Sequence, residues 1–235
     1  MRITSTSTRP TTTGFLVQRL LARDIAAELT TLGSSHSGIL LDVGCGNAPY
    51  SRLLPGWRRI GINIDAIDAT PDVVGDGMAL PFREGCTDAV LCSQVVEHVL
   101  DPFALVRELA RVLRPGGTLI LTGPMFWSLH EEPHDYWRFT EHGFRELCRR
   151  AGLEAVSVHP QGGAISLAAI VLNRIFQGPL FAPVRLANNL AALVLDQLIP
   201  LRHSTANLML TARKPAEGMP ARRLRLPISR SGSAR

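Results

Sequence analysis

The chain has 235 residues, 46% of them hydrophobic, and a formal charge of +5. That is enough apolar material for one globular domain with a core of its own and short appendages. Arginine carries nearly all the positive charge (Lys214 is the only lysine), and much of the excess lies in the tail ARRLRLPISRSGSAR. With no RNP-like aromatic set and no basic stripe on a predicted helix, a nucleic-acid partner is not expected.

Cys45, Cys86, Cys92 and Cys148 form no C-x-x-C pair, so they read as free thiols of a reducing cytoplasm. No apolar run follows Met1, and no uninterrupted apolar run reaches ~18 residues, so neither a signal peptide nor a transmembrane helix is expected. A cytoplasmic protein, with room for peripheral membrane contact, is the expectation.

Residues 1–13 are rich in Ser and Thr and are expected to be disordered. Within residues 14–37, Leu16, Leu20, Ile25 and Leu29 recur at helical spacing and predict an amphipathic helix over 15–32. GILLDVG is a short apolar run ending in Asp42 and Gly44, a buried strand; RRIGINID is a second, PDVVGD a third and TDAVLCS a fourth. DPFALVRELARVLRPGG reads as a helix with Asp101 as N-cap, Pro102 in the first turn and PGG as its stop. TLILTG is a fifth strand. TEHGFRELCRRAG is a helix capped by Thr140 and ended by Gly152, LEAVSVHP a sixth strand and ANLMLTARKP a seventh. Strands alternating with helices, the central ones apolar throughout, predict an open, mostly parallel α/β sheet covered on both faces. The domain runs over 38–214, and 215–235 is a basic tail expected to be disordered.

About residues 162–203, between strands six and seven, two apolar helical stretches are broken at Gly178 and Pro179. The segment is greasy for a connection. It suits a hairpin packed on the core, a homodimer contact through 164–200, or a lid over a lipid-like substrate. Arg174, Arg185, Asn188, Asn189 and Asp196 interrupt it, so it would lie on a membrane rather than span one.

HEEPHD, residues 130–135, matches the H-E-x-x-H of zinc hydrolases. Pro133 stands inside the spacing, where it removes a backbone donor and pushes Glu132 away from helical angles. GPMFWSLHEEPHDYW therefore reads as a loop that does not set two imidazoles on one helical face, and no metal site is expected. A loop after the fifth strand covers the carboxyl-end crevice where open α/β sheets bind ligands. His130, Glu131, His134, Asp135 and Tyr136 would face a substrate there.

LLDVGCGNAPY carries the cofactor signal. A strand ends in an acid, and Gly44 and Gly46 let the backbone turn tightly against a ligand. Pro49 stands where a dinucleotide motif wants its third glycine, and no lysine is placed for a phosphate. The second strand ends in Asn63 and Asp65, suited to ribose hydroxyls. The third ends in Asp76, suited to an exocyclic amine, with Gly77 beside it. Ser93, Gln94, Glu97 and His98 follow the fourth. Four adjacent strand ends carrying polar groups make an adenosine-shaped site without provision for phosphates.

On LLDVGCG, GINID, VVGDGMALPF, DAVLCSQVVEHVLDP and ELARVLRPGGTLILTGP, in that order, the chain resembles the class I S-adenosylmethionine-dependent methyltransferases over residues 38–160. PHDYWRFTEHGFRELCRRAGLEAVSV looks like a subgroup with His-Asp-Tyr-Trp-Arg after the fifth strand. The resemblance implies a Rossmann-like seven-stranded sheet whose last strand, antiparallel, lies between strands five and six. It places Asp42, Gly44, Cys45 and Gly46 along the methionine part of S-adenosyl-L-methionine, Asp76 and Gly77 at the adenine, and Ser93 and Gln94 at the donor end. Ala48 replaces the family's third glycine. Asn63 stands where the family has its ribose acid, and Asp65 would share its face if the strand continues.

The implied activity is methyl transfer to a small-molecule, lipid-linked or glycan acceptor, with oxygen expected. His134 is the first candidate base, oriented by Asp135 or Glu131, with His130 second. Arg138 would meet a substrate carboxylate or pair with Glu141, and Glu97 and His98 would open a helix as pocket elements. The alternative is a non-catalytic partner subunit of the same fold that dimerises through the apolar insertion.

Overall fold

A computed structural model of the chain describes residues 9–35, 37–50, 53, 56–67, 69–199, 201 and 203–216. Most of the two segments expected to be disordered lies outside these residues.

The elements run α1 (Phe15–Ser35), β1 (Ile39–Val43), β2 (Arg58–Asn63), β3 (Val73–Val74), β4 (Thr87–Ser93), α2 (Pro102–Val112), β5 (Leu113–Pro124), α3 (Glu141–Arg150), β6 (Glu154–Gln161), α4 (Ala164–Ile175), α5 (Ala182–Leu198) and β7 (Asn207–Arg213). One seven-stranded sheet has the order β3-β2-β1-β4-β5-β7-β6. Strands β1 to β5 pair in parallel, and β7 is antiparallel to both β5 and β6.

Successive residues of the central strands are buried on opposite faces, because side chains alternate across a pleated sheet. Leu40, Ala89, Leu91, Ile120 and Met209 meet Leu21, Ile25 and Leu29 of α1 on one face. Leu41, Val43, Val90, Cys92, Leu119 and Leu121 share a core with Leu105 and Leu109 of α2 and Phe144 and Leu147 of α3 on the other. A one-residue slip would exchange the two sets, so burial on both sides pins the register.

Both caps form as expected. Asp101 accepts from the Ala104 amide at 2.9 Å and Thr140 from the Gly143 amide at 3.1 Å. The PGG stretch lies just past the helix end, as expected, but within a strand. Helix α2 ends at Val112 and β5 starts at once with Leu113. The Gly116 amide donates to the Lys214 carbonyl at 2.8 Å, and the Lys214 amide to Gly117 at 2.9 Å. These bonds capture the glycines as strand. The Lys214 ammonium, 2.8 Å from the Leu113 carbonyl, adds a cation at the end of α2.

The insertion is a helical hairpin broken at Gly178, whose φ is +84°. No side chain of its own caps α4; Asp196 of α5 accepts from the Gly163 and Ser166 amides at 2.8 and 3.2 Å and from the Ser166 hydroxyl. Asn173, Asn188 and Asn189 bond one another between the helices. Arg185 and Asn189 also hold the carbonyls of Thr11 and Pro10 at 2.7 and 2.6 Å, tying down part of the N-terminal stretch expected to be disordered. The outer face leaves Ile175, Leu180 and Leu198 at least 70% exposed. No helix among the described residues is long and apolar enough to cross a membrane.

Candidate functional site

The chain turns after β1 through three left-handed residues, Gly44 (φ +70°), Gly46 (+50°) and Ala48 (+50°). The Gly44 and Cys45 amides both donate to the Ile62 carbonyl, at 2.9 and 3.2 Å, so the turn is pulled onto the end of β2. A Cβ on Gly44 would stand 2.1 Å from Val95 Cγ2, whereas one on Gly46 would have no atom of the described residues within 4 Å. The loop is closed against the protein at Gly44 and open at Gly46. Asp42 is buried and accepts from Arg59 Nε at 3.0 Å, with burial pushing its carboxyl up and Arg59 opposing. Its carboxylate therefore has a protein partner that the sequence reading did not assign. Burial also pushes the Cys45 thiol up, so it stays protonated at neutral pH.

Strand β2 stops at Asn63, so Asp65 does not share a strand face with it; this corrects the expectation that the strand continues. Asn63 Nδ2 donates to the Asp65 carbonyl at 3.0 Å, and the Asp65 carboxylate accepts from the Ile67 amide, also at 3.0 Å. The Asn63 backbone carbonyl accepts from the Gly75 amide at 2.9 Å, while Asp65 serves the turn beyond.

Asp76 caps its own turn through the Met78 amide at 2.8 Å. A Cβ on Gly77 would meet Leu105 Cδ1 at 2.9 Å, so the backbone lies directly on the core there. Helix α2 clamps this loop. Glu108 accepts from the Leu80 amide at 2.9 Å, and Arg111 donates to the Phe82 and Leu80 carbonyls at 2.7 and 3.0 Å while pairing with Glu108 at 2.7 Å. The Arg111 guanidinium holds the Glu108 carboxyl below its ordinary range.

At the end of β4, the Ser93 hydroxyl, the Gln94 amide and Gln94 Nε2 all reach Thr122 Oγ1 of β5, at 3.0, 3.2 and 3.2 Å. Thr122 was invisible as a site residue in the sequence, because nothing local announces that β5 presents it to this turn.

Glu97 and His98 do not open a helix; they lie in the turn between β4 and α2. The loop after β5 docks on that turn. The Tyr136 and Trp137 amides donate to the Glu97 carbonyl at 2.9 and 3.3 Å, and the Trp137 indole to the Val99 carbonyl at 2.9 Å. His130 and His134 are on irregular backbone, not on one helical face. Asp135 does not orient His134. Its side chain is 1% exposed and accepts from Arg138 through both oxygens, at 2.7 and 2.8 Å, and from the His130 amide at 3.0 Å. His130 Nδ1 lies 3.2 Å from the same carboxylate. Arg138, so engaged, is not the partner of Glu141, which pairs with Arg145. The Arg138 guanidinium holds the Asp135 carboxyl well below the usual carboxylate range. His134 Nδ1 instead meets the Tyr136 hydroxyl at 2.9 Å. Phe139 is core, while Tyr136 and Trp137 are partly exposed.

An open sheet in this order, with β7 antiparallel and a left-handed glycine turn after β1, defines a class I methyltransferase fold. Residues 41–121 match the model of the methyltransferase domain family. The match spans about a third of the chain, from β1 through most of β5. It is 34% identical over 133 residues to the malonyl-[acyl-carrier protein] O-methyltransferase of Serratia marcescens, an alignment covering 50% of this chain and 51% of that protein. The chain thus matches about half the length of that curated relative. Among solved structures, the [4+2]-cyclase SpnF superposes with a TM-score of 0.58 at 22% identity, covering 82% of this chain and 79% of that one. The 1,6-didemethyltoxoflavin-N1-methyltransferase of Burkholderia thailandensis, solved with bound 1,6-didemethyltoxoflavin and S-adenosylhomocysteine, gives a TM-score of 0.56 at 17% identity, covering 83% of this chain and 78% of that one. These two likenesses concern the fold.

Proposed function

We propose that the chain is a methyltransferase that uses S-adenosyl-L-methionine and methylates an oxygen of a small-molecule, lipid-linked or glycan acceptor. One observation carries this reading: Gly44 to Gly46, Asn63, Asp76 with Gly77, and Ser93 with Gln94 stand at the carboxyl edge of adjacent parallel strands. The open space at Gly46 and the acceptors at Asn63 and Asp76 suit the cofactor, and the single lysine is committed to the end of α2. When bound, the cofactor supplies an electrophilic methyl carbon on a sulfonium. The chain's own work is to hold the acceptor oxygen in line with it and keep both still. His134, exposed and steadied by Tyr136 rather than Asp135, is the proposed base for the acceptor hydroxyl, with His130 and Asp135 behind it. Oxygen as the acceptor atom leans on the Serratia relative's named activity.

Calorimetric titration with S-adenosylmethionine and S-adenosylhomocysteine tests the cofactor half. Micromolar binding is expected, lost in Asp76→Ala. Asn63→Ala should weaken it roughly tenfold, one hydrogen bond's worth, and Asp65→Ala hardly at all. A folded sample that binds neither ligand would leave the partner-subunit reading in first place.

The outer face of the α4–α5 hairpin supports an apolar partner, and we propose a lipid-like acceptor or the membrane that holds it. Vesicle flotation should retain the chain and lose it in Leu180→Glu/Ile175→Glu. A stable dimer by sedimentation, dispersed by the same changes, would assign the face to a second copy instead.

A further inference from the structure

Glu97 has no exposed side-chain surface, and neither of its carboxylate oxygens finds a hydrogen-bond partner among the described residues. An acid isolated this way is costly to keep in a fold and calls for a positive partner. His98 Nε2, 3.8 Å from Glu97 Oε1, is likewise buried and unpartnered.

The tautomers follow from the neighbours. His98 Nδ1 lies 2.6 Å from the His134 carbonyl, which can only accept. Nδ1 therefore carries the proton, and Nε2 presents a lone pair. His130 Nδ1 lies 3.2 Å from the Ser128 carbonyl and 3.2 Å from Asp135 Oδ2, again acceptors. Its Nε2 is left as a lone pair by the same reasoning. The two rings stand edge to face with centroids 4.8 Å apart. One ligand atom from each of Glu97, His98 and His130 lies within 4.8 Å of the others. Three acceptors converge with no donor between them, and a single proton can bridge only two.

We propose that Glu97, His98 and His130 bind one divalent transition-metal ion beside the cofactor cleft. Two imidazoles and a carboxylate suit Zn²⁺, Co²⁺ or Fe²⁺, not the oxygen-only shells of Ca²⁺ and Mg²⁺. Bonds of about 2.0–2.1 Å put tetrahedral ligands ~3.3 Å apart, so the ligand atoms, now within 4.8 Å of one another, close in by up to about 1.5 Å. The outer shell is already built. The His134 and Ser128 carbonyls and the Asp135 carboxylate fix the rings, as metal-ligating histidines require. Arg138 in turn fixes Asp135. Three protein ligands leave a coordination position open for water or an acceptor oxygen, whose proton the ion would make easier to remove. That last role rests on the methyl-transfer reading; the binding does not.

The test is titration of the chelator-treated full chain with Co²⁺ and Zn²⁺, read by calorimetry and the visible Co²⁺ spectrum, with S-adenosylhomocysteine binding measured on every sample. One ion per chain is expected. Glu97→Gln, which keeps the shape, and His98→Ala and His130→Ala should each weaken it by at least roughly tenfold. His159→Ala, on β6, should leave it unchanged. Absence of saturable binding in a chain that still binds S-adenosylhomocysteine would overturn the proposal, as would equal affinity in the three variants. Metal binding without S-adenosylhomocysteine binding would sink the methyl-transfer reading and leave this one standing.

Discussion

Gly44→Ala should lower the stability of the fold by about 3 kcal/mol and abolish cofactor binding. Two effects add. A side chain at φ +70° carries left-handed strain of about 1–2 kcal/mol. The new methyl would stand 2.1 Å from Val95 Cγ2, far inside contact distance, and overpacking of that kind costs about 1–3 kcal/mol. Val95 cannot step aside freely, because its neighbours Val96 and Glu97 are fully buried.

The loop contains its own control. Ala48 already holds a Cβ at φ +50°, so left-handed backbone alone is tolerated here, and the clash should carry most of the difference. Gly46→Ala, with nothing of the described residues within 4 Å, should leave most of the stability and still weaken S-adenosylhomocysteine binding more than tenfold, since its methyl would enter the space proposed for the ligand. Gly44→Ala with Val95→Ala should recover the clash part only. Denaturant midpoints and calorimetry on the four proteins decide it. A Gly44→Ala chain that unfolds at the wild-type midpoint would show that the turn does not press on Val95.

What could be read from the sequence was what local chemistry decides. Leu40, Leu41 and Val43, or Ala89 to Cys92, are apolar because both faces of their strands are covered, and a run of that kind announces itself. Asp101 and Thr140 cap because an N-cap needs only its own next turn. The misreadings were decided from far away. PGG marks the helix end, but its place in a strand depends on Lys214, 97 residues beyond Gly117, pairing with it. Asp65 continues a strand on paper, but β3 is only two residues long and offers little to extend beside. The acids of the HEEPHD loop could serve either histidine in a sequence. Which one Asp135 serves depends on how the Glu97 carbonyl holds the Tyr136 and Trp137 amides. The isolation of Glu97 itself has no sequence signal, since it consists of the donors that fail to surround it.

Arg138→Ala should be the most damaging change outside the glycine turn, and its damage should be selective. The guanidinium donates to both oxygens of Asp135, to Trp127 and Ser128 at 3.1 Å each, and to Trp137 at 2.8 Å. It is the clasp of the loop after β5. Removing it leaves Asp135, 1% exposed, as an unpaired buried charge. Losing one partner of a buried pair costs about 3–5 kcal/mol; Arg138 is itself a quarter exposed, so about 2–3 kcal/mol is expected. Arg138→Lys keeps the charge but not the fork, and should recover only part. Arg138→Met with Asp135→Leu should cost less than the two single changes together, because neither partner is then stranded. S-adenosylhomocysteine binding should stay near wild type, since the residues proposed to hold it stand at the ends of β1 to β4 and not on this loop. Protease nicking within residues 125–138 should rise, and Co²⁺ affinity should fall with it, because the carboxylate that holds the His130 ring loses its own clamp. Urea midpoints, nicking rates and the two titrations separate these effects. If cofactor and metal binding fell together while the loop stayed resistant to protease, Arg138 would be acting on the whole sheet edge, and the loop would not be an independent acceptor-side element.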